Sequence, residues 1–359
     1  MAKKVFIFGA GASHSAGPPL MNGLLDAAHD LMRNSPKEVA TEAFSLAFDV
    51  LERRLPMLHA RSIVDLNDVE AVFNVVEMAR LVGRLPGTKP ADIAEIGDAI
   101  RRLLADTIES NCRFPVLEGQ HQPTEDYGRL AAGLAEPRSE FLGDSVAFLT
   151  FNYDTAFDFA LYRQGLWADY ALDDTASHRR GGIPLLKLHG SLNWTLCPKC
   201  RCPLVLDFDY FLGQLPSPSA KFKDVPLRLS KYLSMLGSHC EGAAAPETPA
   251  IVPPSWNKTQ YHETFSRVWG RAAAELSEAE EVYIIGYSFP ATDPFFRELL
   301  ALGLAGGARI RLFAVVDPDE KVADRIEKLL GPDVQGRFLR FGTTFGDFLS
   351  RSLKPPPNR

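Results

Sequence analysis

His189 closes an apolar run, Leu185 to Leu188, and Gly190 follows it at once. Imidazole has an ordinary pKa suited to proton transfer near neutrality, so a histidine delivered by a strand end is a candidate general base. Another apolar run, Val146 to Thr150, opens into Phe151-Asn152-Tyr153-Asp154-Thr155. Asn152 can donate and accept hydrogen bonds to a sugar hydroxyl or a water, whereas an ionised Asp154 can only accept. Plainer readings stand beside these: His189 as a structural histidine, and Asn152 or Asp154 as the cap of a helix beginning near Ala156.

Further positions suit phosphate and ribose oxygens. Lys4 to Phe8 runs into Gly9-Ala10-Gly11-Ala12-Ser13, the pattern of a buried strand turning tightly into a helix whose unpaired N–H groups attract a phosphate. His14 stands where the dinucleotide fingerprint has its third glycine, and no acidic residue closes a second strand about 20 residues on, which counts against hydride transfer. A tight turn without any ligand is the alternative. Later runs end in Gly286-Tyr287-Ser288 and in Asp317-Pro318. Gly286 and Ser288 could hold phosphate or ribose oxygens, and Asp317 could accept from an adenosine ribose hydroxyl. Asp317-Pro318 is equally a cap and first-turn pair for the helix that follows.

The elements that must position these residues are short β-rich runs at Lys4 to Phe8, Val146 to Thr150, Leu185 to His189, Val282 to Ile285 and Ile310 to Val316, with helical spacing between the later ones. This alternation predicts an α/β fold with a mostly parallel sheet covered on both faces. The core is expected from 1–20, 145–195 and 255–350, all within one domain spanning 1–359. Residues 21–140 form a large helical insertion, with helical periodicity at Val69 to Leu81 and Ile93 to Ile108. Residues 195–254 form a small module rich in proline and cysteine.

Three of the five cysteines, Cys197, Cys200 and Cys202, cluster in that module. Cys197-x-x-Cys200 is half of a zinc site, and Cys240 with Cys202 or His239 could complete four ligands; a loop of reduced thiols is the alternative. Cys112 is isolated and has no assigned role. The pattern is unlike a secreted disulfide framework and points to the cytoplasm. With 39 Lys+Arg against 45 Asp+Glu, a net charge of -6 and no long basic run, no nucleic-acid partner is expected. No apolar run reaches membrane-spanning length.

Taken in order, Gly-Ala-Gly-x-Ser, Thr-x-Asn-x-Asp, the strand ending His189-Gly190 and Gly286-x-Ser288 resemble the sirtuin family. Phe151 to Asp154, Lys187 to Trp194, Pro253 to Lys258 and Gly286 to Phe289 look like its bacterial branch found among phage-defence proteins. The resemblance implies a Rossmann-like, NAD-binding fold with Gly9, Ala10, Gly11 and Ser13 at the phosphates, Gly286 and Ser288 near the ribose-phosphate, and Asp317 at the adenosine ribose. Asn152, Asp154 and His189 then surround the nicotinamide ribose as catalytic residues, with His189 as general base. It also implies a structural zinc. Deacylating sirtuins carry Gln at the place of Phe151 and Asp-Phe-Arg where this chain has Pro18-Pro19-Leu20. The expected activity is therefore NAD hydrolysis by a gated effector. An NAD-dependent protein deacylase and a silent NAD or ADP-ribose sensor are the alternatives. Gating implies a homo-oligomer or a regulatory protein partner, with the stretch from about Pro18 to Pro137 as its surface.

Overall fold

The structure is a computed structural model and describes residues 3–35, 41–62, 64–66, 68–136, 142, 145–172, 182–214, 217–219, 221, 223–252, 259–289 and 294–353. Its centre is a seven-stranded, all-parallel sheet built from β1 (Lys4–Phe8), β2 (Val146–Thr150), β3 (Ala168–Asp169), β4 (Ile183–Lys187), β5 (Glu281–Ile285), β6 (Leu312–Val316) and β7 (Phe338–Phe341). The strand order is β7-β6-β5-β1-β2-β4-β3. The expected α/β class with a mostly parallel, Rossmann-like sheet is thus what the chain forms. Several strand limits differ from expectation: β4 runs Ile183–Lys187, two residues earlier at both ends, leaving His189 on the loop beyond it, β5 begins one residue earlier at Glu281, and β6 begins two residues later at Leu312.

The helices are α1 (Leu24–Asn34), α2 (Thr41–Asp49), α3 (Leu55–His59), α4 (Val69–Val82), α5 (Ile93–Asn111), α6 (Glu125–Ala135), α7 (Ala156–Arg163), α8 (Phe208–Gln214), α9 (Thr259–Ser277), α10 (Pro294–Leu304), α11 (Glu320–Glu327), α12 (Pro332–Gln335) and α13 (Phe345–Ser352). Alternate residues of each strand point to opposite faces, and both faces are apolar because both are covered. Val5, Ile7, Leu149, Ile284 and Val315 pack with α9, α10 and α11. Phe6, Phe8, Phe148, Tyr283 and Ile285 pack with α6, α7, α8 and α13. Phe6 stacks between Phe148 at 5.3 Å and Tyr283 at 4.9 Å, tying β1 to both neighbours. Each such buried side chain stabilises the fold by about 1.5–3 kcal/mol.

Helices α1 to α5 have a core of their own. Ile93, Ile96, Ile100, Leu103 and Leu104 form one stripe of α5 and meet Phe44, Ala47, Val72, Phe73 and Val76. Asp68 caps α4 by accepting from Glu70 N at 2.8 Å. Tyr153, Leu192 and Ile251 join this cluster from the sheet side, so the insertion packs directly on the loops that follow β2 and β4. Helix α6 lies within the stretch expected as insertion and packs in the layer beneath the sheet. The cysteine-bearing segment opens with an antiparallel pair, Trp194–Leu196 with Pro203–Val205. Its Asp224–Pro226 strand pairs with Arg113–Leu117, linking it to the end of α5. Among the described residues no helix is long and apolar enough to cross a membrane.

Candidate active site

The chain runs from β1 to β2, β3 and β4 on one side and later crosses back to add β5, β6 and β7 on the other, so the strand order reverses beside β1 and opens a crevice at the carboxyl ends of the strands, where such sheets take ligands. A cavity of about 1200 Å³ occupies this crevice. Its wall holds Ala10, Gly11 and Ser13 after β1, Asn152 and Asp154 after β2, His189 after β4, Gly286 and Ser288 after β5, and Asp317 after β6. Gly9 lies behind the wall and contributes through its backbone.

The glycines owe their place first to each other. Gly11 N donates to Gly286 O at 2.8 Å, so the turn after β1 rests on the turn after β5. A Cβ on Gly286 would lie 2.3 Å from Ala12 N, and Gly286 has φ 60, in the left-handed region. A Cβ on Gly9 would lie 2.6 Å from Gly286 O. The helix that follows is a single 3₁₀ helix, Ala10–Ala16, ended by Gly17 with φ 90.

Asn152 Nδ2 donates to Gly9 O at 2.8 Å and to Ser13 Oγ at 2.9 Å. Ser13, expected at the phosphates, is buried with its hydroxyl engaged in the wall by Asn152 and by Tyr127, 3.0 Å away. Asp154 Oδ1 accepts from Ala156 N at 3.0 Å, a turn just ahead of α7, whose cap position is Thr155 and not Asn152 or Asp154. Burial pushes the Asp154 carboxyl above its usual range, while Lys187, the Ala156 N–H and the Ser13 hydroxyl pull it back down. Beneath it Lys187, only 1% exposed, donates to Asp154 O at 2.6 Å and to Asp158 Oδ2 at 3.0 Å, and Tyr170 donates to Asp158 Oδ1 at 2.7 Å.

His189 is buried between two rings, edge-on to Phe151 at 5.0 Å and stacked near Tyr153 at 6.1 Å. Its carbonyl accepts from Val252 N at 2.8 Å. Gly190, with φ 80, makes the next step because a Cβ there would lie 2.0 Å from Ala250 O. The imidazole is thereby aimed into the cavity by both backbone and aromatic contacts.

At the other end Asp317 Oδ1 accepts from Asp319 N at 2.8 Å, and burial raises the Asp317 carboxyl above its ordinary value. The cap of α11 is Asp319, which accepts from Lys321 N; the cap and first-turn pair expected at Asp317-Pro318 lies two residues further on. Arg325 donates to Ser288 O at 2.8 Å and faces the same space.

Away from the cavity, Cys197, Cys200 and Cys240 bring their sulfurs within 4.8 Å of one another. His239 Nδ1 lies 3.3 Å from Cys200 Sγ and 3.9 Å from Cys240 Sγ. Cys202 is outside this group, its Sγ 3.7 Å from Pro203 O; of the two residues expected to complete the set, it is His239 that lies against it. Backbone N–H groups of Cys200 and Lys199 hold the Cys197 thiol down to about 6, while the sulfurs of Cys200 and Cys197 push the Cys240 thiol up to about 11. This donor set fits tetrahedral zinc.

The cavity wall also holds residues that sequence reasoning passed over. Phe151, Tyr153 and Tyr287 face it, Phe151 stacking on Tyr287 at 4.6 Å. The strict aromatic and polar alternation of Phe151-Asn152-Tyr153-Asp154 is the signal that could have found the first two. The Thr343 to Asp347 turn carries no such signal, nor does Tyr127, which meets Ser13 from behind the wall. The Pro253 to Lys258 run lies outside the described residues.

No protein-family model and no curated protein matches the chain. Among solved structures it is similar to a point mutant of a Sir2 homologue with ADP-ribose, at 16% identity over 98% of this chain and 91% of that one, with a TM-score of 0.41. A Sir2 homolog–NAD complex gives 16% identity over 98% and 88%, with a TM-score of 0.40. At this identity and score no residue role passes from those proteins to this chain.

Proposed function

We propose that this chain is an NAD hydrolase, cleaving the bond between nicotinamide and ribose and giving nicotinamide, ADP-ribose and a proton for each water consumed. The supporting observation is the single cavity across the strand ends, with Asn152, Asp154 and His189 on one side of β1 and Gly286, Ser288 and Asp317 on the other. A dinucleotide is the class of ligand that spans such a crevice. Asp317 accepts from the adenosine ribose, the turn after Gly9 faces the diphosphate, and the nicotinamide ribose lies beside Asn152 and His189. As nicotinamide departs, positive charge develops on the ribose carbon, and His189 takes a proton from the hydroxyl or water that the step activates. The wall's carboxylate, Asp154, favours that charge.

Zinc held by Cys197, Cys200, Cys240 and His239 would brace the small module and take no part in the chemistry. A free NAD hydrolase would drain its host, so we place it in the cytoplasm as a gated effector of anti-phage defence, restrained by self-association or a protein partner. The test is nicotinamide and ADP-ribose release from NAD by the purified chain, with and without an acylated peptide. Release independent of peptide supports hydrolysis; release only with peptide, together with O-acyl-ADP-ribose, would replace it with deacylation. Binding of NAD without any turnover would favour a sensor.

A further inference from the structure

We propose that Tyr127 is a positioning residue for Asn152, acting through the Ser13 hydroxyl to hold the carboxamide with Nδ2 in the wall and Oδ1 toward the cavity. The proposal rests on the reading of Asn152 as a residue at the nicotinamide ribose.

The orientation follows from a proton count. Gly9 O, 2.8 Å from the Asn152 side chain, is a carbonyl oxygen and only accepts. The atom facing it must therefore be the amide nitrogen, since the flipped carboxamide would set oxygen against oxygen. The second Nδ2 hydrogen goes to Ser13 Oγ at 2.9 Å. Both donors of Asn152 are thus spent on the wall, and what it offers a ribose hydroxyl or a water is an acceptor.

Ser13 Oγ has one hydrogen and two lone pairs. Asn152 fills one lone pair, and the hydroxyl also faces the Asp154 carboxyl, whose charged form it favours against burial. Of the two side chains that hydrogen-bond around the Tyr127 hydroxyl, the Asn152 amide nitrogen cannot accept, so Ser13 Oγ, 3.0 Å away, takes the phenol O–H on its remaining lone pair. Tyr127 is fully suited to donate, because burial keeps its phenol far above its ordinary pKa and hence protonated. Its ring is fixed by Phe8 at 5.8 Å, Phe157 at 5.2 Å and Phe345 at 5.7 Å. Tyr127, Ser13, Asn152 and Gly9 O then form one hydrogen-bonded chain, and losing the phenol O–H frees Ser13 to turn and releases the carboxamide.

Tyr127→Phe keeps the ring and removes only the O–H. The expected result is a roughly 10-fold fall in kcat for nicotinamide release, with KM for NAD and the dissociation constant of ADP-ribose each within about twofold and the melting temperature nearly unchanged. In the full chain carrying ¹⁵N-labelled asparagine, with the Asn152 pair assigned by its absence in Asn152→Ala, Tyr127→Phe should shift an Nδ2 proton signal and speed its exchange. Unchanged kcat and unchanged Asn152 signals would overturn the proposal. So would a loss of ADP-ribose affinity and of thermal stability in step with kcat, which marks a merely structural tyrosine. If the wild-type chain does not turn over NAD, the amide signals alone decide the proposal, and the hydrolase reading fails separately.

Discussion

Lys187 Nζ lies 2.6 Å from the backbone carbonyl oxygen of Asp154, so a fully buried ammonium ties the end of β4 to the loop that carries the site's carboxylate. The same ammonium pairs with Asp158 at 3.0 Å. Removing it leaves Asp158 buried with Tyr170 as its remaining side-chain partner. Lys187→Met should destabilise the chain by about 3–5 kcal/mol. Adding Asp158→Asn should recover part of that loss, measured by denaturant unfolding of the two variants beside wild type. Independent, additive costs would refute the pairing.

The contact between the turns after β1 and β5 should be intolerant of a single methyl. Gly286→Ala must adopt φ 60 and push a Cβ to 2.3 Å from Ala12 N. The expectation is a stability loss of about 1–3 kcal/mol and a large drop in ADP-ribose affinity, read by thermal melting and calorimetric titration. Undiminished affinity would show that the turns do not shape the site.

Stability should depend on pH through Glu109, on the face of α5 that meets the segment around Ser230. Ser230 N donates to it at 2.9 Å and the Ser230 hydroxyl donates as well, with Arg228 Nε 3.7 Å away; Asp106 also faces it. Burial outweighs these partners and pushes the carboxyl from 4.5 up to about 7. Since the folded form then binds a proton that the unfolded form has lost, this group's stability is fully present below about pH 4.5 and falls as pH rises to about 7. The size is about 3 kcal/mol. Unfolding free energies of wild type and Glu109→Gln across pH 4 to 8 test it: their difference should change by that amount over the window, and a constant difference would contradict it.

Zinc content separates the ligands of the small module. Purified chain should carry one zinc by elemental analysis, lost in Cys200→Ser, weakened in His239→Ala and retained in Cys202→Ser. Chelation should lower the melting temperature. A metal-free chain with unchanged stability would leave the sulfurs as reduced thiols.

The central strands were legible because burial on both faces leaves continuous apolar runs, and each such run ends where a polar residue enters the crevice. β3 and β7 were not: Ala168–Asp169 is two residues long, and Phe338–Phe341 exposes Leu339 and Arg340 at the sheet's edge, so neither reads as a buried strand. His189 was read as the end of a strand, yet β4 stops at Lys187 because Gly190 turns the backbone onto Ala250 and Ile251. The cysteine pair could be read from spacing alone, but the choice of His239 beside it depends on how a 40-residue excursion folds back. Tyr127 was invisible for the same reason. It lies 114 residues from Ser13, and nothing in the run around it marks a hydroxyl aimed at a distant serine.

The most direct test of the account is the rate of nicotinamide release from NAD by wild type, Asn152→Ala and His189→Ala chains at equal concentration, with ADP-ribose binding measured on each. The account predicts release by wild type, a loss of about 10²–10⁴-fold in the His189→Ala chain and a comparable loss in Asn152→Ala, while ADP-ribose still binds. Turnover at the wild-type rate by the His189→Ala chain would contradict it.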